Sequence, residues 1–286
     1  MRLLRLGWMV SLLSLVGGTA LAADTKQLAR GRYLVEGVVA CGNCHGARNE
    51  KGQLVPEKGL SGGMLFDEPP FKAYAANITM DAESGIGKWT AQQLARAIRE
   101  GVRPDNSIIG PPMPVEFYRH LSDEDLAAIV AYLRAQPAVK NNVAKSVYNI
   151  PLPPTYGPRI KGLKTPPTSD KVKYGEYLAN IGHCMECHTP HDERGQLEKP
   201  SWGAGGMEFK GPWGVSVSRN LTPHAAGLKN WTDEQIIKAV RSGTDRDGKP
   251  YRPPMGFEFY SKISDADMAA LVAYLRSLRP VVSASK

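Results

Sequence analysis

The chain writes Cys-x-x-Cys-His twice, as Cys41-Gly42-Asn43-Cys44-His45 and Cys184-Met185-Glu186-Cys187-His188, and these motifs contain all four of its cysteines. Four cysteines in an oxidising compartment ordinarily predict two disulfides, and a Cys-x-x-Cys pair also suits a redox dithiol or half of a zinc site. None of these requires a histidine directly after the second cysteine. Covalent haem attachment does: two thiols form thioethers with the porphyrin, and the histidine beside them then lies beneath the iron. Two haems c are therefore expected, one on Cys41, Cys44 and His45 and one on Cys184, Cys187 and His188.

The motifs belong to a longer duplication. His45 and His188 are 143 residues apart, as are Gly62-Gly63-Met64 and Gly205-Gly206-Met207, and Asn77-Ile78-Thr79 and Asn220-Leu221-Thr222. Trp89-Thr90 returns as Trp231-Thr232 and Pro111-Pro112-Met113 as Pro253-Pro254-Met255, both at 142. A period this long is a tandem pair of domains, not a solenoid. Each unit reads as helical. Thr90-Ala91-Gln92-Gln93 and Thr232-Asp233-Glu234-Gln235 fit capping boxes, with Gly101 and Gly243 as helix stops. The last helices open at Ser122 and Ser264 with acids in the first turn. They carry the apolar stripes Leu126, Ile129, Val130, Leu133 and Met268, Leu271, Val272, Leu275. Little alternating strand pattern is visible, so the expected class is all-α. The expected organisation is domains at 23–149 and 169–286, joined over 150–168 by a connector with six prolines. Ile150, Leu152, Tyr156 and Ile160 give that connector side chains able to pack along the first domain.

The N-terminus reads as a signal peptide over 1–22. Arg2 and Arg5 precede an apolar run from Leu6 to Val16, and Ala20-Leu21-Ala22 supplies a small-x-small cleavage pattern. The expected mature protein is exported to the periplasm, with at most peripheral association with the inner membrane. The formal charge of +8 falls to +6 without Arg2 and Arg5, and haem propionates bring it nearer neutrality. No concentrated basic stripe points to nucleic acid.

A sixth iron ligand has to come from outside the motifs. Met113 and Met255 stand on proline-rich loops several residues before the final helices, suited to carrying a thioether over the open haem face. Met64 and Met207 are also matched between the units and stay open as alternatives, whereas Met80, Met185 and Met268 lack an equivalent context. His120, His183, His191 and His224 have no His counterpart in the other unit and read as surface or local hydrogen-bonding residues. Methionine/histidine ligation fills both axial positions, which suits outer-sphere electron transfer rather than substrate binding. Trp89 and Trp231 are candidate donors to a propionate, or core residues; Arg99 and Arg241 are candidates for nearby charge, or solvated. Asn77 and Asn220 read as turn residues rather than glycosylation sites.

These features together resemble the cytochrome c subunits of periplasmic bacterial dehydrogenases, those of quinoprotein alcohol dehydrogenases and of flavoprotein gluconate or sorbitol dehydrogenases. The likeness is carried by the Cys-x-x-Cys-His motifs, Gly62-Gly63, Asn77-Ile78-Thr79, Gly85-Ile86-Gly87-Lys88-Trp89-Thr90, Pro112-Met113-Pro114 and Leu121-Ser122-Asp123-Glu124-Asp125. The resemblance implies two class I-like cytochrome c domains. It also implies partners: a dehydrogenase catalytic subunit as electron donor, and quinone, another cytochrome or an oxidase of the respiratory chain as acceptor. Many such subunits carry a third haem domain and a membrane-associating C-terminal segment, whereas this chain stops soon after Pro280, so quinone is one acceptor among several. The second unit also departs from the pattern, with Gly256 where the first has Pro114. A di-haem peroxidase or thiosulfate-oxidising cytochrome is the alternative, and it needs an iron that opens a coordination site or a spare cysteine ligand. A haem sensor would need an appended signalling domain.

Overall fold

The computed structural model describes residues 17–193, 195–211 and 213–283. The apolar run Leu6–Val16 lies outside the described residues, and the expected cleavage point after Ala22 falls within the first helix. Two units of the same plan follow one another. In the first, α1 (Gly17–Tyr33) continues as one π-helical turn (Leu34–Val38) into the short α2 (Cys41–His45); α3 (Ala91–Glu100), α4 (Val115–Tyr118) and α5 (Asp123–Arg134) complete it. The second repeats this with α6 (Lys171–Ile181), α7 (Cys184–His188), α8 (Asp233–Ser242), α9 (Phe257–Tyr260) and α10 (Asp265–Ser277). Among the described residues no helix is long and apolar enough to cross a membrane.

The helix ends form where side chains satisfy otherwise orphaned backbone N–H groups. Thr90 and Gln93 close one capping box and Thr232 and Gln235 the other, while Gly101 and Gly243 end their helices in the left-handed region at φ 67° and 66°. Ser122 and Ser264 accept the backbone N–H groups of Asp125 and Asp267. All eight residues of the two apolar stripes are buried.

Each unit crosses its first helix over its last at a glycine. A Cβ on Gly31 would lie 2.0 Å from the Ala128 carbonyl oxygen, and one on Gly175 would lie 1.9 Å from that of Ala270. The helix backbones touch there, which only glycine permits.

The all-α expectation needs correction. An antiparallel hairpin, β1 (Leu65–Glu68) and β2 (Phe71–Tyr74), is extended by β3 (Val147–Tyr148), and β4 (Glu208–Gly211) pairs with β5 (Gly214–Val217) in the second unit. These strands are four residues or shorter and mostly exposed. So short a segment cannot develop the two-residue alternation by which a half-buried strand is read.

The units share one hydrophobic core, in which Leu34, Val38 and Phe117 pack in the same cluster as Leu178, Phe259 and Ile263. Two reciprocal hydrogen-bond latches join them. Tyr33 Oη donates to Asp267 Oδ2 at 2.8 Å, and Tyr177 Oη donates to Asp125 Oδ2 at 2.6 Å. Each tyrosine precedes its own haem motif, and each aspartate opens the last helix of the other unit.

The connector lies along the first unit. Ile160 O accepts from Arg99, Leu163 O accepts from the Asp123 N–H, and the Thr165 hydroxyl donates to Ser122. Tyr148 and Leu152 close over Gly110, and Tyr156 Oη donates to Ile109 O at 2.8 Å.

Candidate functional site

The two attachment motifs adopt the same local structure. Ala40 and His183 enter left-handed conformations at φ 52° and 45°, and the next five residues form a short helix each time. On that helix the first cysteine and the histidine are four residues apart and the cysteines three, so all three side chains share a face. His45 Nδ1 lies 2.8 Å from Ala76 O, and His188 Nδ1 lies 2.7 Å from Arg219 O. A carbonyl only accepts, so Nδ1 carries the proton and Nε2 presents its lone pair for a metal. Burial pushes both imidazole pKa values below the usual range, keeping the rings neutral as a ligand must be.

The Gly-Gly segments hold the backbone that accepts these bonds. The Gly62 N–H donates to His45 O, and a Cβ there would lie 2.4 Å from Ala75 O; Gly205 N–H likewise donates to His188 O. Asn77 and Asn220 fold the following turns. Each Oδ1 accepts from Thr79 or Thr222, and each Nδ2 reaches Val139 O or Val281 O. The turn role expected for these asparagines is what the structure shows.

The cysteines are four unpaired thiols. Burial raises the Cys41 and Cys184 pKa values to about 12, that of Cys44 to about 11 and that of Cys187 to about 12. A redox dithiol works through a depressed thiol pKa, so these environments are wrong for one. Among the described residues no group of three or more His, Cys, Asp or Glu is placed to hold a metal ion. Half-buried thiols on the same helix face as a histidine with a free Nε2 fit a porphyrin attached by thioethers. Among the described residues Trp213 Nε1, on the β4–β5 turn, is a buried donor without an acceptor. The first unit has Pro70 at the corresponding place, so matching the repeats does not reveal this residue.

Met113 and Met255 sit on their Pro-Pro loops, partly buried against the core, and both loops contain a cis Pro–Pro peptide. Met64 and Met207 are also partly buried, but they lie where the chain enters the β-hairpins, with backbone bonds to Ala75 and Ser218. Met185 and Met268 are fully buried core residues. His183 packs edge-on against Tyr118 at 6.0 Å, and His224 Nδ1 accepts from the Ala226 N–H.

The solvated reading of Arg99 fails, and both arginines have structural partners. Arg99 is buried and donates to Leu121 O, Asp123 and Ile160 O, and Arg241 donates to Ile263 O and pairs with Asp265. Each ties its helix to the start of the last helix of its unit, α3 to α5 and α8 to α10. Trp89 and Trp231 pack against the core, and their carbonyls accept from Arg134 and Arg276.

The motifs also approach each other. Burial drives the Tyr118 and Tyr260 hydroxyls well above the ordinary phenol pKa, with smaller charge contributions from Cys41 and Cys44 at Tyr118 and from Cys184, Cys187 and Cys44 at Tyr260. Glu186, within the second motif, is raised to about 7 by burial and by the nearby Glu116 of the first unit.

The cytochrome c family model matches residues 28–137 and again 172–279. The fructose dehydrogenase cytochrome subunit of Gluconobacter japonicus is 30% identical over 278 residues, which is 91% of this chain and 54% of that one. The cytochrome c subunit of the quinone-dependent alcohol dehydrogenase of Gluconobacter oxydans is 28% identical, over 95% of this chain and 59% of its own. A di-haem c-type cytochrome of Cereibacter sphaeroides is 30% identical, over 82% of this chain and 81% of its own. The chain thus spans a little over half the length of the dehydrogenase subunits it matches. Two family matches, each containing one Cys-x-x-Cys-His helix with its histidine oriented for a metal, place this chain in the cytochrome c family, with two covalently bound haems c.

Proposed function

We propose that the protein is a non-catalytic electron carrier of the periplasm, taking electrons from the catalytic subunit of a dehydrogenase and passing them to quinone, another cytochrome or an oxidase. The haem iron, when bound, supplies a reversible one-electron couple. The observation that carries the reading is the matched pair of proline-rich loops, each seating a methionine against the core beyond a histidine already fixed by a backbone carbonyl. Met113 is assigned to the iron above His45, and Met255 to the iron above His188. With both axial positions filled, neither iron offers a place for substrate, and methionine ligation raises the potential. The relatives named as subunits of fructose and alcohol dehydrogenases support the donor. Export rests on the basic and apolar N-terminal segment.

The test is spectroscopic and then functional. Both ferric haems should show the near-infrared thioether-to-iron band, and Met113→Ala and Met255→Ala should each remove one haem's share while lowering its potential. The oxidised protein should be reduced by a periplasmic sugar or alcohol dehydrogenase with which it co-purifies. A high-spin haem in the unaltered protein, binding peroxide or carbon monoxide readily, would move the reading to a redox enzyme.

A further inference from the structure

The Met255 loop is held from both sides, and one of the supports comes from the other unit. Within its own unit, Ser216 Oγ donates to Pro253 O at 2.5 Å and Arg252 Nη1 to Val215 O at 3.3 Å, tying the loop to β5. From the first unit, Asn43 Nδ2 donates to Pro254 O at 3.2 Å. Asn43 stands inside the first haem motif, between its two cysteines, and Pro254 directly precedes Met255.

This contact depends on Gly256. A Cβ at that position would lie 3.1 Å from Asn43 Cγ, 3.3 Å from Nδ2 and 3.4 Å from Oδ1, so a side chain there crowds the amide that makes the bond. The first unit carries Pro114 at the matching position. The helices around the contact are closely docked as well: a Cβ on Gly42 would lie 2.6 Å from the Phe259 ring.

The opposite junction is built differently. Glu186 stands where the first motif has Asn43, so no amide N–H is offered there. The segment leading into the Met113 loop is held instead by β3 and the connector, through Tyr148 and Leu152 over Gly110 and Tyr156 on Ile109 O.

We propose that Asn43 is a positioning residue for the second axial ligand, so that ligation of the haem on Cys184 and Cys187 depends on the attachment helix of the first. The inference rests on the assignment of Met255 as that ligand. The experiment uses full-length holoprotein and measures imidazole binding to each ferric haem, since an incoming imidazole must first displace the thioether. Met113→Ala and Met255→Ala assign the two kinetic phases.

Asn43→Ala and Asn43→Asp should each speed binding at the second haem about tenfold, the factor expected from one hydrogen bond of ordinary strength, and leave the first haem unchanged. Gly256→Ala should do the same by displacing the amide. In the Asn43→Ala background it should then add little, as a double-mutant cycle on one shared contact requires. If Asn43→Ala fails to retain haem, the Asn43→Asp and Gly256→Ala pair carries the test. Equal acceleration at both haems would mean general loosening of the interface, and a second-haem rate within twofold of the unaltered protein would mean no positioning; either overturns the proposal. An unchanged near-infrared band in Met255→Ala would instead bring down the ligand assignment itself.

Discussion

The two tyrosine–aspartate latches should carry a measurable share of the force holding the haem units together. Tyr177 and Asp125 are 5% and 3% exposed, and their 2.6 Å bond ends on a carboxylate that also takes two bonds from Arg30, both at 2.8 Å. Tyr177→Phe keeps the ring and its packing and removes the bond to a charged group, along with two longer contacts to the Ser122 N–H and hydroxyl at 3.4 and 3.3 Å, costing about 1.5–3 kcal/mol. Tyr33→Phe removes the 2.8 Å bond to Asp267 and the 3.1 Å bond that the Ser264 N–H donates to the hydroxyl, and leaves Asp267 with Tyr174 Oη at 3.4 Å. That poorer residual pairing raises its cost, whereas the partial exposure of Tyr33 lets water repay some of it, so about 1–2 kcal/mol is expected. The assay is denaturant unfolding of the holoprotein, followed by haem absorbance and by far-ultraviolet circular dichroism. The double variant should lose about 2.5–5 kcal/mol and should separate one transition into two as the units uncouple. Tyr132→Phe is the control, since its 2.5 Å bond to Glu36 lies within one unit and its loss should lower stability without splitting the transition. Losses below about 0.5 kcal/mol at both latch tyrosines, the usual range for a surface change, would refute the reasoning.

Two further outcomes follow from the same structure. Gly175→Ala should destabilise the protein by about 1–3 kcal/mol in the same assay, because overpacking against Ala270 O outweighs the roughly 1 kcal/mol by which alanine favours a helix; a gain in stability would show that the helices do not touch there. Burial, with the bond to Asp267, raises the Tyr33 pKa from its ordinary 10.0 to about 12. Its contribution should therefore be complete below pH 10 and lost as pH rises to 12, and Tyr33→Phe should flatten that part of the stability–pH curve, which titration of unfolding midpoints checks.

What was legible in the sequence is what local chemistry decides. The capping boxes, the helix-stopping glycines and the buried stripes of α5 and α10 follow from residues within one or two turns of each other. The haem motifs are likewise local, since five consecutive residues supply both thioethers and the proximal ligand. Three kinds of feature were not legible. The hairpins are too short to show a period. Arg99 and Arg241 look solvated in sequence because their carbonyl and carboxylate partners lie about 20 residues on or more. Asn43 and Trp213 have no matching residue in the other unit, and comparison of the repeats sees only what both contain.

The duplication also separates what the units share from what distinguishes them. Both have a Cys-x-x-Cys-His helix, a histidine held through Nδ1, a Pro-Pro-Met loop and a tyrosine reaching into the other unit, so the ligand chemistry offers no reason for the haems to differ. The supports around the axial loops do differ. The approach to the first loop is braced by the connector through Tyr156, while the second is braced by β5 and by Asn43 from across the interface. Charge differs too: the first motif presents an amide to its partner unit, and the second presents Glu186 beside Glu116. With covalent attachment the same and Met113 and Met255 proposed as matched ligands, a difference in potential or ligand exchange between the haems would originate in these supports and in residues that one unit alone carries, such as Trp213 where the first has Pro70. The symmetric latches fix the units against each other. The asymmetric contacts make that docking register at one axial loop and not, in the same way, at the other.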